Sequence, residues 1–140
     1  MPITNECFQA WSSRTILQPD LVEADYRNIV SRSYYSAYHA TLHYAETQLS
    51  IPVRNYGGST HLKLAELLMT YKCDDGETEG SVRRLGSRIS ALHSLRIRAD
   101  YFLDETILPG EAKSIIKNTG EILGIINNAT PANPKKPLPV

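Results

Sequence analysis

The segment DLVEADYRNIVSRSYYSAYHATLHYAETQL, residues 20–49, contains neither glycine nor proline and decides the fold class. It begins with Asp20, and Glu23 follows three residues later, which is the pattern of a capped helix N-terminus. Because glycine and proline are the residues that most often break helices, we expect one long helix from Asp20 to about Leu49. It is the second helix of the predicted fold.

Two shorter helices are predicted on either side of the long one. The first runs from Asn5 to about residue 17, because apolar residues recur at helical spacing until Pro19 stops them. The other follows a proline and a glycine pair, is capped at residues 59–60, and ends near Lys72.

The C-terminal half predicts two more helices. After a polar, acidic loop at residues 73–80, an apolar stripe marks a fourth helix over about residues 81–102. Pro109 suits the first position of a fifth helix, whose apolar residues recur at i, i+3, i+4 and i+7 up to Ile126. No strand alternation is present, so we predict an all-α, antiparallel bundle of about five helices.

We interpret residues 1–128 as one helical domain and residues 129–140, a segment with four prolines, as a disordered tail. Fifteen Lys and Arg balance fifteen Asp and Glu, so any binding of RNA depends on a local patch of charge. Cys7 and Cys73 are not spaced as a metal or redox pair, and neither a signal peptide nor a membrane-spanning run is present. We therefore expect a soluble, cytoplasmic protein without a cofactor.

One face of the long helix combines a guanidinium with an imidazole. At about 100° per residue, Arg32 and His39 share a side two turns apart. The same face includes Asn28, Tyr35, Ser36 and His43. A guanidinium can neutralise a phosphate and an imidazole can move a proton, which are the two tasks of metal-free phosphodiester cleavage. The alternative is the solvated polar stripe that any amphipathic helix has.

Two opposite charges one turn apart, Arg96 and Asp100, interrupt the apolar stripe of the fourth helix. This spacing predicts a partly buried ion pair, which is either structural or part of a preorganised site. His61 and His93 are further groups that titrate near neutral pH. They have no partners at a metal-ligand spacing and the chain lacks an HExxH motif, so no metal site is predicted.

Tyrosine is concentrated on the long helix, at positions 26, 34, 35, 38 and 44. Such rings can stack on unpaired bases, as in proteins that bind single-stranded RNA. They can equally pack the bundle core or a subunit interface with their hydroxyls at its edge.

Together these motifs resemble one branch of the HEPN superfamily. In that branch a long helix has a Ser-Arg-x-Tyr-Tyr-x-Ala-aromatic-His segment, the next helix opens near a Thr-His, and a later helix ends in Arg-x-x-Ala-Asp-Tyr. Here these are residues 31–39, 60–61 and 96–101, and the match extends over about residues 20–126. The resemblance implies an antiparallel helical bundle that forms a homodimer.

The resemblance also implies a metal-independent RNA endonuclease, acting as a toxin, in stress response, in phage defence or as a CRISPR-associated nuclease. The family's catalytic signature is an Arg followed after four to six residues by a His, brought together across the dimer. No histidine follows Arg96, whereas Arg32 and His39 have this spacing on an earlier helix. We therefore predict that Arg96 binds the scissile phosphate and Asp100 orients it. His39 acts as acid or base, helped by Arg32.

In this scheme the RNA 2′-hydroxyl attacks and leaves a cyclic phosphate, and the substrate-binding residues are Tyr35, Tyr101, His61 and His93. An antitoxin or a nucleotidyltransferase is an expected protein partner. Two alternatives stay open. One is a non-catalytic HEPN module that binds nucleotide or RNA, or scaffolds such a partner. The other is a helical interaction domain whose polar clusters are all structural.

Overall fold

The computed structural model describes residues 3–129, and the predicted tail from residue 130 onward lies outside that range. The helices are α1 (Asn5–Thr15), α2 (Glu23–Thr47), α3 (Thr60–Met69), α4 (Gly76–Tyr101) and α5 (Pro109–Asn128), with a short 3₁₀ turn at Val53–Asn55. Residues 3–129 contain no strand, and the predicted all-α bundle of five helices is confirmed. No helix in this part of the chain is long and apolar enough to cross a membrane.

The long helix α2 is the centre of the bundle and packs against each of the other four helices. Its residues Ile29, Tyr34 and Ala37 are fully buried. Because α1 covers one side of α2, Ser36 is also fully buried, and its hydroxyl donates to the Asn5 carbonyl oxygen at 2.7 Å. The polar face predicted from helical spacing is therefore only partly solvated, since a central helix has neighbours on several sides.

The N-cap of α2 is Val22, two residues later than the predicted cap at Asp20, and the helix begins at Glu23. Asp20 adopts a left-handed backbone conformation with φ 61°, which takes it out of the helix. The capping contact comes instead from Asp25, whose carboxylate accepts a hydrogen bond from the Val22 N–H at 2.8 Å.

The predicted acidic loop at residues 73–80 is wrong in its second half, because α4 already begins at Gly76. Asp75 is the N-cap, and its carboxylate accepts a hydrogen bond from the Glu77 N–H at 3.1 Å. Glu77 and Glu79 in the first turn complement the positive end of the helix dipole. The acidic residues thus start a helix rather than extend a loop.

Helices α3 and α4 cross closely at Gly86. A Cβ atom at that position would lie 2.7 Å from the Met69 backbone nitrogen, so a larger residue would push the helices apart. This crossing also brings His61 of α3 and His93 of α4 together, with their ring centroids 5.6 Å apart and nearly parallel. The packing of two helices therefore places two imidazoles at one point.

Arg27 of α2 binds backbone groups at the end of α4 and in the connection to α5. Its guanidinium forms an ion pair with Glu23 at 2.9 Å and donates to the Ala99 carbonyl oxygen at 2.9 Å. It also donates to the carbonyl oxygens of Arg98, Phe102 and Glu105. Glu23 in turn accepts a hydrogen bond from the Ile107 N–H at 2.8 Å, so α2 holds both ends of the connecting segment.

Candidate functional site

An aromatic and charged cluster lies where α2, α3 and α4 meet, around the adjacent rings of Tyr34 and Tyr35. We call it the tyrosine–arginine cluster. Its members are Arg32, Tyr34, Tyr35, Tyr38, His39, His61, His93, Arg96, Asp100 and Tyr101. Each site residue predicted from the sequence thus has a place in one connected group of side chains.

The predicted ion pair of α4 is confirmed. Arg96 Nε lies 2.7 Å from Asp100 Oδ2, with 12% and 26% of the two side chains exposed. Within residues 3–129 no acceptor is aligned with the buried Nε–H, so this contact is ionic rather than a hydrogen bond. The same carboxylate oxygen accepts a hydrogen bond from the Ser31 hydroxyl at 3.3 Å, and Arg96 Nη2 donates to the Tyr35 hydroxyl at 2.8 Å.

Each of the two guanidiniums of the cluster lies over aromatic rings. Arg96 Cζ lies 5.2 Å from the Tyr35 ring centroid and 5.6 Å from that of Tyr101. Arg32 Cζ lies 4.8 Å from the same Tyr35 centroid and 5.5 Å from that of Phe8 on α1. These separations are within the range of cation–π attraction, so the Tyr35 ring joins two cations from different helices.

His61 and His93 occupy the interior side of the cluster. His61 Nδ1 shares a hydrogen bond of 2.7 Å with the Tyr34 hydroxyl, and its ring stacks on Tyr38 at 4.0 Å between centroids. Burial lowers the pKa of His61 to about 4, and repulsion from Arg96 and from His93 in its protonated form adds to this effect. Burial and Arg96 also lower the pKa of His93. Both imidazoles are therefore neutral at pH 7.

His39 lies on the exposed side of the cluster. Its ring stacks on Tyr35 with centroids 5.9 Å apart, and burial of part of the ring, followed by Arg54 and Arg32, lowers its pKa. A neutral imidazole at pH 7 can accept a proton. Among the described residues there is no hydrogen bond from His39 to Arg96 or Asp100; within one chain the Tyr35 ring links His39 to Arg96.

Three residues of this region were not identified from the sequence as site residues. Tyr34 was named only as one of the tyrosines concentrated on the long helix, yet its hydroxyl reaches His61 across the bundle. Ser31 joins Asp100 to Arg32, whose Nη2 donates to the Ser31 hydroxyl at 3.3 Å. Phe8 belongs to α1, and its contact with Arg32 depends only on how α1 packs. The position of Ser31 at the start of the quoted motif was the one available signal.

In residues 3–129 no group of His, Cys, Asp and Glu side chains is arranged to hold a metal ion. Comparisons with family models, with curated proteins and with solved structures found no match for this chain.

Proposed function

We propose that this chain is a metal-independent endoribonuclease of the HEPN type that acts as a homodimer, with the tyrosine–arginine cluster as its RNA site. The observation that supports this most is the arrangement around Tyr35. Two guanidiniums, those of Arg32 and Arg96, lie over its ring, and the imidazole of His39 stacks on it. The guanidinium of Arg32 for a phosphate and a neutral imidazole for proton transfer are thus close together, with Arg96 behind the same ring.

The two arginines have different roles in this proposal. Arg96 is mostly buried and is neutralised by Asp100, so it positions the Tyr35 hydroxyl to which it donates. Arg32 is half-buried and has no carboxylate partner within residues 3–129. Its charge is therefore available to a phosphate group at the surface of the cluster.

The proposed reaction uses the RNA 2′-hydroxyl as the nucleophile. Neutral His39 accepts the 2′-hydroxyl proton as the oxygen attacks phosphorus, and Arg32 stabilises the charge that develops on the phosphoryl oxygens. The bond from phosphorus to the 5′ oxygen breaks, and that oxygen takes a proton from solvent. The products are a 2′,3′-cyclic phosphate and a 5′-hydroxyl end, so DNA of the same sequence is not a substrate.

The test is to incubate the full chain with single-stranded RNA, and with DNA of the same sequence, in the presence of EDTA. We expect cleavage of RNA alone, with cyclic phosphate ends, and at least about a hundredfold loss of rate in His39→Ala. The matched control is His43→Ala, which removes an exposed histidine one turn further along α2. Equal rates for the His39 variant and the wild type would exclude His39 as the base, and a requirement for metal would contradict the mechanism.

A second possible function is a non-catalytic module that binds RNA or nucleotide. It is favoured because two groups that could take part in catalysis already have partners within the cluster. Asp100 neutralises Arg96, and the Tyr34 hydroxyl forms a hydrogen bond with His61 Nδ1. A site that only binds needs the free charge of Arg32 and no proton transfer. It predicts that RNA stays intact, that Arg32→Ala weakens binding, and that His39→Ala leaves binding nearly unchanged.

A further inference from the structure

A groove of about 490 Å³ lies between α1 and α2, next to the tyrosine–arginine cluster. Its lining includes Phe8 and Trp11 of α1, Asn28 and Arg32 of α2, and Arg14 at the end of α1. Sites for small ligands and cofactors commonly have volumes of roughly 300–1,000 Å³. The groove is therefore large enough for one nucleotide.

The lining of the groove is aromatic and positively charged. Trp11 is 37% exposed, so part of its indole is open to stacking with a planar ligand. Arg14 and Arg32 are the charged residues of the lining, and no carboxylate is among the lining residues. Neither arginine forms an ion pair within residues 3–129, so both guanidiniums can bind an anion. Asn28, which is exposed, offers an amide donor and acceptor to the edge of a base.

The groove is continuous with the cluster. Phe8 and Arg32 belong to the groove lining, and they also contact cluster residues, since Phe8 stacks on His39 at 6.3 Å and Arg32 lies over Tyr35. A strand with one phosphate at Arg32 would thus place the neighbouring base beside Phe8 and Trp11. The alternation of a cation with aromatic rings is how proteins bind single-stranded nucleic acid.

We propose that the groove is a subsite for one unpaired nucleotide of the RNA. Its base lies against Trp11 and Phe8, and the two phosphates that flank it lie at Arg14 and Arg32. This inference rests on the proposed function and adds the substrate class: single-stranded rather than duplex RNA. A polyanion fits the groove better than a second copy of this chain, because the lining presents two free guanidiniums and no acidic group.

The test uses Trp11 as its own reporter, because it is the only tryptophan of the chain. Titration of His39→Ala protein with single-stranded RNA, followed by tryptophan fluorescence and by polarisation of labelled RNA, measures binding without cleavage. We expect the fluorescence to be quenched with the same midpoint as the polarisation change. Duplex RNA of the same sequence should bind at least about tenfold more weakly, because its bases are not free to stack.

Substitutions at Trp11 and Arg14, each with a control variant, and one chemical probe sharpen the test. Trp11→Ala should weaken binding of single-stranded RNA by about tenfold or more, whereas Trp11→Phe keeps an aromatic face and most of the affinity. Arg14→Ala should weaken binding, with Arg84→Ala, an exposed arginine of α4, as the control. Bound RNA should also protect exposed Cys7, which lines the groove, from alkylation, with buried Cys73 as internal reference.

The outcomes separate this inference from the proposed function. If RNA binding quenches Trp11 but the wild type does not cleave RNA, the result supports the groove as a nucleotide subsite and overturns the proposed nuclease activity. Cleavage or binding of RNA without any change at Trp11 or Cys7 overturns only the proposal that the groove is a nucleotide subsite. Absence of RNA binding overturns that proposal as well. A Trp11 signal that changes with protein concentration and not with RNA would show that a second copy covers the groove, and would likewise overturn it.

Discussion

Arg27 and Arg96 are about equally buried, with 11% and 12% of their side chains exposed, and each pairs with a carboxylate four residues away, but their other partners differ. Arg27 donates mainly to backbone carbonyl oxygens at the end of α4 and in the α4–α5 connection. Arg96 lies among the rings of Tyr34, Tyr35 and Tyr101, and donates to a hydroxyl.

The difference shows that burial alone does not assign a role to an arginine. Backbone carbonyls belong to the fold, so an arginine that binds several of them fixes the path of the chain. The partners of Arg96 are the side chains of Asp100 and the tyrosines, so it holds the position of these side chains and not the path of the backbone. We therefore infer that Arg27 fixes the path of the chain and that Arg96 positions the side chains of the tyrosine–arginine cluster.

The largest effect on stability is expected for Arg27→Ala. Its loss leaves Glu23 without its cation and several carbonyl oxygens without a donor, which should cost roughly 3 kcal/mol of unfolding free energy. Urea unfolding followed by circular dichroism measures this loss. Arg27→Lys should restore part of it, because an ammonium keeps the charge but cannot bind all of these oxygens at once.

The matched variant is Arg96→Ala, which should cost less stability, roughly 1–2 kcal/mol, because Asp100 keeps the Ser31 hydroxyl and partial access to water. It should nevertheless reduce RNA binding or cleavage more than Arg27→Lys does. If Arg96→Ala destabilised the fold as much as Arg27→Ala and left RNA binding intact, the distinction between the two arginines would be lost.

The two regions should also respond to acid in different pH ranges. His61, beside Arg96, has an ordinary pKa of 6.5 that is lowered to about 4 in the folded chain. Between these values the unfolded chain binds a proton that the folded chain does not, so stability falls as the pH decreases through this range. Above pH 6.5 the group is neutral in both states and contributes nothing.

Glu23, beside Arg27, has its pKa lowered from 4.5, mainly by its hydrogen bond with Arg27. Its contribution is present above pH 4.5 and is lost as the pH falls further. Urea midpoints of wild type, His61→Asn and Glu23→Gln across this range measure both effects. In a plot of urea midpoint against pH, His61→Asn should reduce the slope between pH 6.5 and about 4, and Glu23→Gln should reduce the slope below pH 4.5. Identical profiles for wild type and His61→Asn would contradict the burial of this imidazole.

The smallest effect is expected for an exposed arginine. Arg88 of α4 pairs with Glu121 of α5 at 2.9 Å, but the two side chains are 45% and 44% exposed. Such surface pairs contribute about 0–1 kcal/mol, because water and salt screen them. Arg88→Ala should therefore shift the urea midpoint little, and it should leave RNA binding unchanged. A loss as large as that of Arg27→Ala would mean that burial and carbonyl partners are not what separates these arginines.

Local patterns predicted much of the fold. The run without glycine or proline in residues 20–49 predicted α2, and Pro109 with the apolar spacing after it predicted the start of α5. The spacing of Arg96 and Asp100 predicted their ion pair, because residues four apart in a helix face each other whatever packs around them. Helix ends were less predictable, as the shift of α4 to Gly76 shows, because several nearby acidic residues can each serve as the cap.

What the sequence determined by itself is thus the set of helices and the contacts within one helix, since these depend on residues a few positions apart. Only the tertiary structure decided that Tyr34 meets His61, that Arg27 binds the end of α4, and that Phe8 and Trp11 form a groove with Arg32. These contacts join residues far apart in the chain. They depend on which faces of the five helices pack together. Burial of apolar surface from all five helices determines this packing, so no single segment of the sequence predicts it.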